Sequence, residues 1–315
     1  MLRRLMVLWL VAWALAAAAA PALAAGPVFP RGSRIGLEPP GDMVVSRRFN
    51  GFEDRAHNVA ITMLDLPAAA YRALEKSAFQ NKVKRLTVEK REVFPFREGI
   101  GYLVTGHEEV NGTLFRSWYL LANTFSPEVG RVAAMVAVRL PNNATRIYPD
   151  RVIRAALASV TFRKPPLAEM LSLLPFQLGN RAGFRVARIS PPAVVMLIDG
   201  EGGKPAERPY MVVAAARNAP SAPDLRPKFA RDLVQQMPLA GLAIQSAAPM
   251  RINNRPGYEV RATAKRKDGK PLALVQWLRY GGGNTYLRII GIVEQPRWDE
   301  LFPRFRAVRD GVDVR

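Results

Sequence analysis

The chain repeats itself, and this constrains its fold more than any local motif does. Residues 151–163 read RVIRAALASVTFR and residues 303–315 read PRFRAVRDGVDVR. Aligned without a gap, Arg154-Ala155 matches Arg306-Ala307, Val160 matches Val312 and Arg163 matches Arg315. Upstream, EGIGYLVTG (98–106) has its counterpart in NRPGYEVRA (254–262), which sets Gly101-Tyr102 over Gly257-Tyr258. From that glycine to the closing arginine the copies run 62 and 58 residues, a difference that loops absorb. A duplicated sequence implies one supersecondary unit built twice, so whatever folds one half must fold the other.

The order of elements agrees between the copies. Each opens with short β-rich runs, among them HNVAITMLDL (57–66) and PYMVVAAAR (209–217). A helix follows. In the second copy Leu225, Phe229 and Leu233 recur every four residues with Ala230 and Val234 beside them, the spacing of a buried stripe, and Tyr71, Leu74 and Ala78 do the same in the first. Aromatic strands come next, TLFRSWYLLAN after a turn at Asn111-Gly112 and LALVQWLRYGG after a turn at Asp268-Gly269, with a further turn at Gly281-Gly282-Gly283. A closing helix ends each copy; in the second, Trp298, Leu301, Phe305 and Val308 share one face. Trp118 and Trp277 occupy similar places on apolar strands and are expected in the cores. The pattern predicts an α+β protein of two repeated modules, each a largely antiparallel β-sheet flanked by helices. The first module spans 26–163 and the second 176–315. The segment KPPLAEMLSLLP (164–175), whose prolines bracket a short apolar helix, is read as the linker.

The G-Y-x-V motif in both copies and the closing R-A…V-x-[FV]-R, set in this order of elements, resemble the α/β/α-sandwich module typified by PsbP, the extrinsic oxygen-evolving-complex protein of photosystem II. Relatives of that module occur in bacterial exported proteins. The resemblance covers nearly all of the mature chain and implies binding or assembly rather than catalysis. It transfers no functional residue, because no family binding motif is present to match, and fold likeness warrants function only by association.

Residues 1–25 have the form of a signal peptide. Arg3 and Arg4 precede the apolar run from Leu5 to Ala20, Pro21 breaks it, and Ala22 and Ala24 supply the small-x-small pattern that signal peptidase accepts. Cleavage is expected after Ala24 or Ala25, with release to the periplasm or the exterior; an uncleaved membrane anchor is the competing reading. The chain has no cysteine, which excludes a disulfide framework, a thiolate metal site and a cysteine nucleophile.

Charge narrows the partners. The 46 Lys and Arg against 26 Asp and Glu leave +20, or +18 without the two leader arginines. Such a field favours anionic partners. In an envelope these are lipid headgroups, lipopolysaccharide phosphates or an acidic protein face, and no nucleic acid is expected. The cationic clusters are KVKR, with Lys82, Lys84 and Arg85, and KRKDGK, with Lys265, Arg266, Lys267 and Lys270 at a hairpin tip. Either these contact an anionic partner or they keep strand edges soluble.

Candidate chemistry is sparse. Gly99, Gly101 and Gly106 lack dinucleotide-loop spacing, and a β-rich run rather than a helix follows them; turn chemistry at a strand start is the expected role. His57 and His107 are the only histidines, with no second histidine at metal-ligand spacing and no G-x-S-x-G elbow nearby. Both are expected as polar strand-end residues. Glu53-Asp54 and Glu108-Glu109 are adjacent acids, which does not make an acid–base pair across a cleft. No catalytic, cofactor-binding or metal-binding residue is assigned, and no cofactor is expected. The function expected is that of an exported, non-enzymatic binding or accessory protein of the cell envelope that engages an anionic or acidic partner. The alternatives are a periplasmic hydrolase with its site in the inter-module cleft and a structural subunit of an envelope complex.

Overall fold

The computed structural model describes residues 26–79, 86–201 and 207–315; the expected leader and Lys82, Lys84 and Arg85 lie outside them. The chain divides after Pro165 into two compact units.

The first module begins with short strands β1 (Ile35–Gly36), β2 (Val44–Val45) and β3 (Gly51–Asp54), then β4 (Val59–Asp65) and helix α1 (Ala68–Phe79). Four long strands follow, β5 (Leu86–Phe96), β6 (Gly99–Val110), β7 (Thr113–Ser126) and β8 (Gly130–Pro141), then helix α2 (Asp150–Ala158) and β9 (Thr161–Phe162). Seven strands form one sheet in the order β2-β3-β4-β8-β7-β6-β5, and β1 pairs with β9. Every pairing is antiparallel. At the β6–β7 turn Asn111 and Gly112 both take positive φ, 51° and 75°, as a tight hairpin turn requires.

The second module runs α3 (Leu167–Ser172), β10 (Phe176–Leu178), β11 (Arg185–Ser190), β12 (Val194–Ile198), β13 (Tyr210–Ala216), α4 (Arg226–Gln235), β14 (Ala240–Ile252), β15 (Arg255–Lys265), β16 (Pro271–Tyr280), β17 (Tyr286–Glu294), α5 (Trp298–Asp310) and β18 (Val312–Val314). Its antiparallel sheet is ordered β11-β12-β13-β17-β16-β15-β14, and β10 pairs with β18. Strand for strand this is the topology of the first module, so the duplication read in the sequence is a duplication of fold.

Each sheet carries a helix on both faces. In the first module Ile153 and Leu157 of α2 pack on Trp118, Leu120 and Val136, while Tyr71 of α1 packs on Val104 and Leu121 across the sheet. In the second, Leu301, Phe305 and Val308 of α5 cover Trp277 and Ile289, and Ala230 and Val234 of α4 cover Tyr258 and Leu274. Each large apolar side chain buried in this way contributes about 1.5–3 kcal/mol. Trp118 and Trp277 are buried, in the core role expected of them. Within the segment expected to link the modules, Leu171 and Leu174 pack into the second module's core.

Two local expectations change. Leu225 is exposed and lies in a 3-10 turn ahead of α4, so the buried stripe of that helix is Ala230 and Val234 with Phe229 and Leu233 packed beside them. Gly101 and Gly257 are not turn residues. Each is the third residue of its strand, and a Cβ there would lie 2.4 Å from the Leu121 carbonyl oxygen and 2.8 Å from the Leu278 carbonyl oxygen respectively. Close approach of the next strand, not a turn, demands the glycine.

Candidate functional site

The second module has a cavity of about 670 Å³ at one end of its sheet. The site starts from Arg279, the penultimate residue of strand β16 and its one charged residue, whose 6% exposure makes it a buried guanidinium. Its Nη1 donates to the Val312 carbonyl at 2.8 Å, and Asp313, itself exposed, stands 3.9 Å away. Among the described residues Nε and Nη2 meet no acceptor. In register Arg279 lies across from Gly257, so no side chain stands directly opposite it on β15. Burial pulls the guanidinium below its ordinary value; Asp313 opposes this and the neighbouring Arg255 adds to it. An arginine stays protonated regardless, so the cavity keeps a largely desolvated cation with incomplete compensation.

The surrounding elements add charge of the same sign. Arg217 follows β13, Arg255 opens β15 and Arg315 follows β18, all lining the cavity, and Asp313 is its one acidic side chain. Arg217 and Arg255 form no ion pair among the described residues. Arg315 is anchored, its backbone N–H to the Pro175 carbonyl and its Nη1 to the Ser172 carbonyl. Leu173, Pro192, Ala193 and Leu287 make the walls apolar. Chemically, a fork of donors among cations and apolar walls can hold an organic anion.

The corresponding corner of the first module is built differently. There the Arg163 backbone N–H donates to the Arg34 carbonyl at 2.9 Å, the counterpart of Arg315 to Pro175 at 3.1 Å. Two of its cations are paired, Arg34 with Asp65 and Arg97 with Glu38, and Glu98 accepts from the Phe162 N–H at 2.7 Å.

No protein-family model matches the sequence, and no curated protein does. Solved structures give weak likenesses. LpqN of Mycobacterium tuberculosis, described as involved in cell envelope biogenesis, is 12% identical with a TM-score of 0.37, over 44% of this chain and 82% of its own. The T6SS immunity protein TplEi of Pseudomonas aeruginosa is 13% identical with a TM-score of 0.30, over 92% and 97%. The cyanobacterial PsbP of Synechocystis is 13% identical with a TM-score of 0.27, over 44% and 91%. Likeness at this level decides nothing about activity. The tandem α+β modules stand on the two sheets themselves.

The residues singled out in the sequence fall elsewhere. Lys265, Arg266, Lys267 and Lys270 gather at the β15–β16 hairpin, where Arg266 is held by Asp268 at 2.7 Å and Glu294 at 2.9 Å. Lys270 reaches the same Glu294 at 3.6 Å, while Lys265 and Lys267 are exposed. His57 pairs with Asp54 at 2.6 Å in the β3–β4 turn, and Tyr148 donates to the same carboxylate. His107 lies within β6 rather than at its end and pairs with Glu89 at 2.8 Å. Neither imidazole meets a serine hydroxyl among the described residues. Glu108 turns to the opposite face from His107, where it is buried. No cluster of three or more metal-ligating side chains occurs among the described residues, and no helix among them is long and apolar enough to cross a membrane.

Sequence reading missed Arg217, Arg255 and Arg279, because they come from three separate segments. One signal was present: Arg279 is a lone cation in the apolar run LALVQWLRYGG, where the other copy has none in TLFRSWYLLAN at the matching end.

Proposed function

We propose that this chain is an exported, non-enzymatic accessory protein of the cell envelope that binds an anionic partner group in the arginine-lined pocket of its second module. The observation that carries the reading is Arg279, buried and tied at one nitrogen only, with three more arginines and a single acidic side chain around it. An anion seated there relieves the cost of holding that charge away from water. The leader-like N-terminus and the +18 of the remaining chain support placement where anionic lipids and lipopolysaccharide are the neighbours. The hairpin-tip lysines Lys265 and Lys267 serve as secondary contacts to such a surface.

Isothermal titration of the protein with sodium sulfate at constant ionic strength tests this. Saturable heat is expected from the native chain and is lost on the double substitution Arg217→Gln/Arg255→Gln, at two exposed positions. Absence of saturable heat from the native protein removes the pocket as an anion site.

A further inference from the structure

Resting on the anion-binding reading above, we infer that the pocket takes the dianion of a phosphate monoester carried on an apolar body. Charge comes first. Arg217, Arg255 and Arg279 against Asp313 leave a local surplus of two positive charges, and Arg315, the last residue, brings an α-carboxylate along with its guanidinium. A monoanion would leave one uncompensated beside a guanidinium that is only 6% exposed. A phosphate monoester carries about −1.5 to −2 at neutral pH and three acceptor oxygens.

Geometry comes second. The Nε–Nη2 edge of Arg279 is unclaimed and offers the two parallel donors that bind a phosphate oxygen pair. Arg255 and Arg217, both exposed and unpaired among the described residues, remain to meet the third oxygen. The walls come third. A bare ion would leave Leu173, Pro192 and Leu287 unused, whereas a cavity of about 670 Å³ is of the size that encloses an organic molecule. In the equivalent corner of the first module Arg34 and Arg97 are each paired with a carboxylate, unlike Arg217 and Arg255.

The probes are phenyl phosphate and its isosteric monoanion phenyl sulfate, titrated calorimetrically into the full chain. At pH 7.5 phenyl phosphate is expected to bind about tenfold more tightly, the share of one added charge interaction. The advantage should close as pH falls through about 6 toward 5, where the ester becomes a monoanion. Arg255→Gln and Arg217→Gln should each reduce it, and Arg279→Gln, if folded by circular dichroism, should abolish it. Equal affinity for phenyl phosphate and phenyl sulfate overturns the dianion assignment while leaving an anion site in place. Phthalate binding as tightly as phenyl phosphate overturns the assignment to phosphate. Binding of none of these overturns the anion-binding reading itself. Vesicles carrying phosphatidic acid, against phosphatidylglycerol controls, separate the sources. Selective retention on the former assigns a lipid monoester, and binding of the soluble probe alone assigns a free one.

Discussion

Arg154 on α2 meets Glu92 on β5 at two points, Nη1 to Oε1 at 2.7 Å and Nη2 to Oε2 at 3.1 Å. The pair fastens the closing helix of the first module to the edge strand of its sheet. Arg154, opposed by burial and helped by Lys90, holds the Glu92 carboxyl at about 2.

Because that value lies below the ordinary range near 4.3 of an unfolded glutamate, the stabilisation is complete above about pH 4.5 and is lost as pH falls toward 2. Glu92→Gln should lower stability by about 1 kcal/mol at pH 7, a figure discounted for partial exposure. Denaturant unfolding at pH 7 and pH 3 checks this. The gap between native and variant should narrow at the lower pH, and a gap of constant size would contradict the linkage.

Glu108, a buried carboxylate on β6, accepts from Ser117 Oγ at 2.7 Å, Tyr119 OH at 3.0 Å and Arg139 Nε at 2.7 Å. Removing it takes the acceptor from Ser117 and Tyr119, while Arg139, half exposed, can turn to water. Glu108→Ala is expected to cost about 2–4 kcal/mol, and Tyr119→Phe, which removes one donor, about 1 kcal/mol. Urea midpoints of the two variants measure the difference.

Gly101→Ala should destabilise by about 2 kcal/mol or more, since its Cβ would press on the Leu121 carbonyl. Gly282→Ala, with nothing within 4 Å of the added carbon, should stay within about 0.5 kcal/mol of the native chain. Thermal melting of both variants tells steric demand from simple loss of a glycine.

Each module has its own cores on both faces of its own sheet. Residues 26–165 and 166–315, expressed separately, are therefore expected to fold cooperatively. Denaturant titration followed by tryptophan fluorescence reports on both, since Trp118 and Trp277 sit in the respective cores. A gradual, non-cooperative transition in either fragment would show that its core is incomplete.

Much of the fold was legible because its determinants are local and repeat. Asn111-Gly112 makes its turn from backbone preferences that belong to those two residues. The α5 stripe of Leu301, Phe305 and Val308 follows from helical periodicity alone. Strand order was not legible. That β4 pairs with β8, and β1 with β9, depends on which edges meet after the helices pack, and hydrophobic alternation carries no label for its partner. The role of Gly101 was misread for a related reason, since its constraint is the backbone of β7, twenty residues away in sequence.

The sequence by itself determined that the chain builds one antiparallel module twice, with a leader-like start and a large positive charge, because periodicity, turn residues and composition are properties of short segments. Only the tertiary structure decided where that charge matters. Arg217, Arg255, Arg279 and Arg315 come from four segments, and it is the folding of β13, β15, β16 and β18 to one end of the sheet that places them around a single cavity. The KRKDGK run, conspicuous in the sequence, is partly neutralised by Asp268 and by Glu294 from β17. Charge density along a chain is local, but whether a charge is paired, buried or left open depends on what the fold brings beside it.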